Sequence, residues 1–165
     1  MLLFNREAMK EFDPTDEDYN LWLFLAQVRA VMFKARQKEV SRYGITAGQA
    51  SALFVINALG DRATPAEISR WLFRESQSVS AILNRMEEQG LVKRVKDLPK
   101  KNLVRVALTE EGREIYGNCT KRESMHKIMA SLDSKLRQQL MVCLEKLRDA
   151  TLKYLGEERE MLFPY

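Results

Sequence analysis

Histidine is nearly missing from this chain: His126 stands alone, and only two cysteines, Cys119 and Cys143, accompany it. A zinc site needs clustered thiolate or imidazole ligands, and a disulfide scaffold needs paired cysteines in a small oxidised domain. With no Cys-x-x-Cys spacing and no second histidine, neither is expected. No glycine-rich phosphate loop, metal-ligand cluster or set of nucleophile, base and orienting group is visible, so no metal, no cofactor and no enzymatic activity are expected. Long apolar runs are lacking too. Nothing approaches the roughly 20 residues of a membrane span, and the opening "MLLFNREAMKEF" has too short an apolar stretch for a signal peptide's core. The expectation is a cytoplasmic protein, free of the membrane and in a reducing compartment.

What is present suits one folded domain. The 165 residues are 45% hydrophobic and 30% charged, long enough to bury a core and too apolar for disorder. A net charge of +4 hints at a polyanionic partner, and that hint gains weight only where the charge is clustered.

From Thr15, a capping residue and an acidic first turn open a long helix with Leu21, Leu25, Val28, Met32 and Ala35 at helical spacing. Trp22, Phe24 and Val31 add a second apolar face, which predicts burial between two neighbours, from one chain or from two. Thr46 begins "AGQASALFVINAL", closed by Gly60. Thr64, Pro65 and Glu67 form a capping-box pattern for "PAEISRWL", which stops near Phe73. A further helix starts at Glu75 or Ser76 and ends at Gly90.

The period then changes to two. Leu91–Val95 and Leu103–Leu108 read as a hairpin around a loop of Asp97, Pro99, Lys100, Lys101 and Asn102. Thr109 restarts helix to about Ser131, and Asp133 begins another with a stripe of Leu136, Leu140, Leu144 and Leu147. Both cysteines fit buried apolar positions in these helices.

Short helix, turn, helix and basic hairpin is the element order of a winged helix-turn-helix. In the helix from Ser76 to Gln89, Val79, Ile82, Leu83 and Met86 face inward. The opposite side carries Gln77, Ser78, Ala81, Asn84 and Arg85. Gln and Asn can bond adenine bidentately, Arg can bond guanine, and Ala leaves room for a thymine methyl. An ordinary solvated helix usually shows Glu and Lys there instead. In the hairpin, Lys93, Arg94, Lys96, Lys100, Lys101 and Arg105 oppose only Asp97, which suits phosphate neutralisation. Taken alone, such lysines serve equally well to keep an edge strand from aggregating.

The stretches "TPAEISRWLFRESQSVSAILNRMEEQGLVKRVKD" and "VRVALTEEGREIY" resemble the MarR family of transcription regulators, in detail over about Thr46 to Tyr116 and in element order over nearly the whole chain. "SVSAILNRMEEQGLVKR" is similar to the family's recognition helix and first wing strand, and "VALTEEG" to its return strand and next helix. The family's wing tip usually reads Asp-x-Arg-Asp-x-Arg; here Asp97 is followed by Leu98, Pro99, Lys100, Lys101 and Asn102. Lysine lacks arginine's planar fork, so minor-groove reading weakens and phosphate binding becomes more generic.

The resemblance implies a mainly α fold with a small β-hairpin wing. Residues 42–110 form the DNA-binding lobe, and residues 1–41 with 111–165 a helical dimerisation region; an intramolecular bundle is the alternative. It implies a homodimer on a pseudo-palindromic double-stranded operator. Gln77, Ser78, Ala81, Asn84 and Arg85 then read bases, and Lys96, Asp97, Lys100, Lys101 and Arg105 meet backbone or minor groove. It further implies repression relieved by a small aromatic or anionic effector, with Trp22, Met32, Phe33 and Tyr116 as pocket candidates, although such residues are more often core. The family's peroxide sensors carry a cysteine near the start of the first helix, where this chain has none. The alternative to DNA binding is a winged-helix interaction module that docks an acidic protein.

Overall fold

A computed structural model describes residues 15–96 and 104–157. Seven α-helices and one hairpin follow in order among them, with short 3-10 turns at Ser41–Tyr43 and Gly60–Arg62: α1 (Glu17–Val40), α2 (Ala47–Leu59), α3 (Pro65–Leu72), α4 (Ser76–Glu88), β1 (Val92–Val95), β2 (Arg105–Leu108), α5 (Glu110–Cys119), α6 (Glu123–Met129) and α7 (Ser134–Leu155). The chain divides within α1, between Ala35 and Arg36, into two compact units.

The first unit holds most of α1. Asp16 Oδ1 accepts the Tyr19 N–H at 2.9 Å, and Glu17 and Asp18 complement the positive end of the helix dipole. Leu21, Trp22, Phe24 and Val31 are exposed, Trp22 by 68%. Among the described residues, therefore, these four are not buried as the sequence anticipates.

The second unit packs its core from Val40, Leu53, Ile56, Ile68, Val79, Leu83, Met86 and Val106. Each helix around it starts on a local signal. Thr46 and Gln49 form a reciprocal capping box at α2, at 3.2 and 2.8 Å. At α3 half of the anticipated box forms. Thr64 Oγ1 accepts the Glu67 N–H at 3.2 Å, but the Glu67 carboxylate pairs with Arg70 while the Thr64 N–H donates to Arg62 O. The turn into α4 is closed by Phe73 in the left-handed region, φ 50°, and by buried Ser69, whose hydroxyl donates to Arg74 O at 2.5 Å.

The two strands pair antiparallel, Val92 with Leu108 and Val95 with Arg105. Side chains alternate across a strand, so Val92 and Arg94 share a face with Val106 and Leu108, while Lys93 and Val95 share the other with Arg105 and Ala107. The hairpin root is fastened to α5. Thr109 donates from its backbone to Leu91 O at 3.1 Å and from its hydroxyl to Gly90 O at 2.5 Å, and the same hydroxyl accepts the Gly112 N–H. Gly112 lies so close to Leu91 that a Cβ there would sit 1.9 Å from the Leu91 carbonyl oxygen.

One anticipated helix is two. The run from Thr109 toward Ser131 breaks after Cys119, and α6 starts anew behind Arg122, which adopts φ 48°. The physical reason is a distant cap: Glu39, at the end of α1, accepts the Glu123 and Ser124 N–H groups at 2.9 and 3.2 Å. Past α6, Asp133 Oδ1 caps α7 by accepting the Leu136 N–H at 2.8 Å. The α7 stripe of Leu136, Leu140, Leu144 and Leu147 is exposed. Cys143 is exposed with it, contrary to the buried position expected, whereas Cys119 is buried.

Gly112→Ala forces a methyl into main-chain atoms that have no rotamer to yield. Equilibrium urea unfolding should show a loss of about 1–3 kcal/mol, whereas Gly117→Ala, where a Cβ meets nothing within 4 Å, should not destabilise.

Candidate nucleic-acid interface

Helix α4 buries Val79, Leu83 and Met86 against the core and half-buries Ile82. The remaining face holds Gln77, Ser78, Ala81, Asn84 and Arg85, all exposed. Its N-cap, Glu75, makes no side-chain cap, so the first-turn N–H groups stay open to an external acceptor at the positive end of the dipole. Short polar side chains on a rigid, core-anchored helix give a surface that can enter a groove and bond to base edges.

The hairpin is tied beside this face by one arginine. The Arg94 N–H donates to Glu87 Oε1 at 3.3 Å, and its guanidinium pairs with Glu87 Oε2. The same guanidinium donates from Nη2 to Asn84 Oδ1 at 2.5 Å. Strand β1 thus lies against the C-terminal half of the outward face of α4. Lys93 and Lys96 are exposed. Arg105 is less available: its side chain is 20% exposed and its Nη1 lies 3.6 Å from Asp61 Oδ1. Asp97, Lys100 and Lys101 lie outside the described residues.

A cavity of about 440 Å³ opens elsewhere in the second unit. Phe54, Val55, Trp71, Leu72 and Tyr116 give it aromatic and apolar walls, and Arg36 and Arg122 bring two guanidinium groups. The Arg122 guanidinium sits 5.4 Å from the Phe54 ring centroid, a cation–π distance. Arg36 is held in place: its Nη2 donates to Cys119 O at 2.8 Å and its Nη1 lies 2.8 Å from Glu39 Oε2. Burial pushes the Cys119 thiol above its usual pKa, with Arg36 opposing and Glu39 reinforcing the shift, so the reactive thiolate is disfavoured.

Glu39 is itself 6% exposed. Burial alone raises a carboxyl pKa. Here the Ser124 hydroxyl and N–H and the charge of Arg36 outweigh burial and bring the group from 4.5 down to about 2.

Comparison with known proteins identifies the arrangement. A sequence model described as the MarR family matches residues 43–101. YsmB of Bacillus subtilis (strain 168), an uncharacterised HTH-type transcriptional regulator, is 30% identical over 100 residues, which span 60% of this chain and 68% of that protein. The chain belongs to the MarR family. It is a winged-helix, DNA-binding transcription regulator. Among solved structures it is similar to the organohalide-sensing regulator RdhR-CbdbA1625 in its ligand-free form. The two are 28% identical with a TM-score of 0.82 over 94% of this chain and 93% of that one. The 2,4-dichlorophenol-bound form of that regulator also gives 0.82, over 100% and 98%. A mutant MarR from E. coli complexed with operator DNA shares the fold at 23% identity, with a TM-score of 0.73 over 82% and 99%.

In this MarR-family chain the five residues named on α4 from sequence, four polar ones and Ala81, come together on one exposed face, and Lys96 stands at the end of β1. Of the four pocket candidates, Tyr116 lines the cavity; Trp22 and Phe33 are exposed on α1, and Met32 is half-buried there. Trp71, Phe54, Arg36 and Arg122 also line the cavity and are not among the residues the sequence suggests. Trp71 had a signal in the sequence, three residues after Ile68 in a short amphipathic helix, but Arg122 had none, because its place depends on a break capped from α1.

Glu39 gives a pH signature. A carboxyl whose pKa falls on folding stabilises above its unfolded value and loses that contribution as the pH drops through its folded one. The change from 4.5 to about 2 corresponds to about 3 kcal/mol. Glu39→Gln should lower stability at pH 7 by about that amount, and urea midpoints for the two proteins should converge as the pH falls from 4.5 toward 2.

Proposed function

We propose that this protein is a homodimeric repressor that binds a pseudo-palindromic operator and is released by a small aromatic or anionic effector. Residues 42–110 act as the reading lobe, and residues 1–41 with 111–165 as the dimerisation region. The observation that carries the reading is the outward polar face of α4 with the hairpin tied beside it through Arg94 and Glu87. Gln77, Ser78, Ala81, Asn84 and Arg85 enter the major groove. Lys96, Asp97, Lys100, Lys101 and Arg105 serve backbone or minor groove, with Arg105 contributing least because Asp61 already engages it.

Dimerisation answers the exposed apolar residues of α1 and α7, which one chain leaves in water. Two copies would then present their reading helices about 34 Å apart along one side of the duplex. Repression rather than activation follows the commoner habit of the family. The relative RdhR-CbdbA1625 is organohalide-sensing and has a 2,4-dichlorophenol-bound form. The cavity here suits a molecule of that kind, with aromatic walls and two cationic groups within a volume ordinary for small ligands. No helix among the described residues is long and apolar enough to cross a membrane, and we place the protein in the cytoplasm, acting by binding rather than catalysis.

Selection of bound sequences from a random duplex pool tests the core of this proposal and should return a two-fold symmetric motif. Arg85→Ala should cost about 1–3 kcal/mol and relax one base pair per half-site. Lys101→Ala should weaken all sequences alike and lower the salt slope by about one unit. Equal losses on operator and random DNA for both variants would refute that division of roles. Leu140→Glu should produce monomers in sedimentation and, with them, lose operator binding. For the effector, phenol or benzoate titration should quench tryptophan fluorescence, and Trp71→Ala should abolish the change.

A further inference from the structure

We infer that Arg94 is a positioning residue that sets base specificity, turning Asn84 from a reader of adenine into one that selects guanine. The inference rests on the base-reading role proposed for α4. Bidentate recognition of adenine needs both halves of an amide: Nδ2 donates to N7, and Oδ1 accepts from the N6 amino group. In this protein Oδ1 is already engaged by Arg94 Nη2 at 2.5 Å. The atom facing the guanidinium must be the oxygen, since arginine has donors and no acceptor.

A cation on the oxygen has two effects. It takes one lone pair and leaves the other a poorer acceptor, and it polarises the amide so that the Nδ2 hydrogens become stronger donors. Asn84 then meets DNA mainly as a donor. Guanine, with N7 and O6 both accepting in the major groove, satisfies that donor best. Adenine offers one acceptor beside an amino group that wants the occupied oxygen.

Arg94 is also unsuited to gripping phosphate directly. Glu87 accepts both its backbone N–H and its guanidinium, so its charge is largely neutralised within the protein. The three side chains make a chain of command from wing to base: Glu87 holds Arg94, Arg94 holds Asn84, and Asn84 faces outward from α4.

Sequence selection with the full-length protein separates the possibilities. Wild type should prefer guanine over adenine by about tenfold at the position that Asn84→Ala relaxes. Arg94→Ala should move that one position toward adenine; the backbone N–H at residue 94 still donates to Glu87 and keeps the wing in place, so the rest of the motif and the salt slope of binding should stay unchanged. Asn84→Asp keeps the bond to Arg94, as an ion pair, and removes the donor, so it should lose the guanine preference with no loss of thermal stability. Adenine at the wild-type position would overturn the inference, as would a motif indifferent to Asn84→Ala. So would an Arg94→Ala protein with unaltered preference and a slope reduced by about one unit, the mark of a phosphate contact. If wild type selects no motif at all, the operator-binding proposal falls first and this inference with it; a motif with the wrong base sinks the inference alone.

Discussion

A single buried carboxylate organises the second unit. Glu39 accepts from the Glu123 N–H and from the N–H and hydroxyl of Ser124, and it pairs with Arg36, which in turn donates to the carbonyl of Cys119. One side chain at the end of α1 therefore closes α5, opens α6 and fixes the left-handed turn at Arg122 between them. A buried charge is tolerable only where every lone pair is used, and here that requirement dictates where the chain must bend. The cavity follows from it, because Arg36, Cys119, Thr120 and Arg122 all line its wall.

The protein presents two kinds of surface with opposite physical character. On α4 an apolar face is buried in the core shared with α2, α3 and β1, and the outward face is mostly polar. On α1, Leu21, Trp22, Phe24 and Val31 are exposed, and on α7, Leu136, Leu140, Leu144 and Leu147 are exposed. The first surface is finished and awaits a polar partner; the second is unfinished and calls for hydrophobic burial.

Legibility in the sequence followed the range of the interactions. Helix α4, the hairpin and the N-caps at Thr46, Thr64, Thr109 and Asp133 are written within a few residues, and each is anticipated there. The break before α6 is not, because its capping acid lies 84 residues upstream of Glu123. The sequence predicts a capping box for the Glu67 side chain, which instead pairs with Arg70, since a neighbour one turn along competes for the same carboxylate. Clustering of positive charge was legible as a count but not as geometry. Arg94 and Arg105 point to opposite faces of the ribbon, and each meets its own carboxylate, Glu87 or Asp61. Cys143 misled because a helical apolar stripe is the same pattern whether it is covered by its own chain or left open.

The contact at Gly112 has a mechanical side. Where α5 crosses the hairpin root there is no side chain to flex, only main chain against the Leu91 carbonyl, with Thr109 bolting the two together on either side. Such a joint has almost no slack. Helix α5 and the wing root are spliced main chain to main chain, and any residue larger than glycine at this seam would pry them apart.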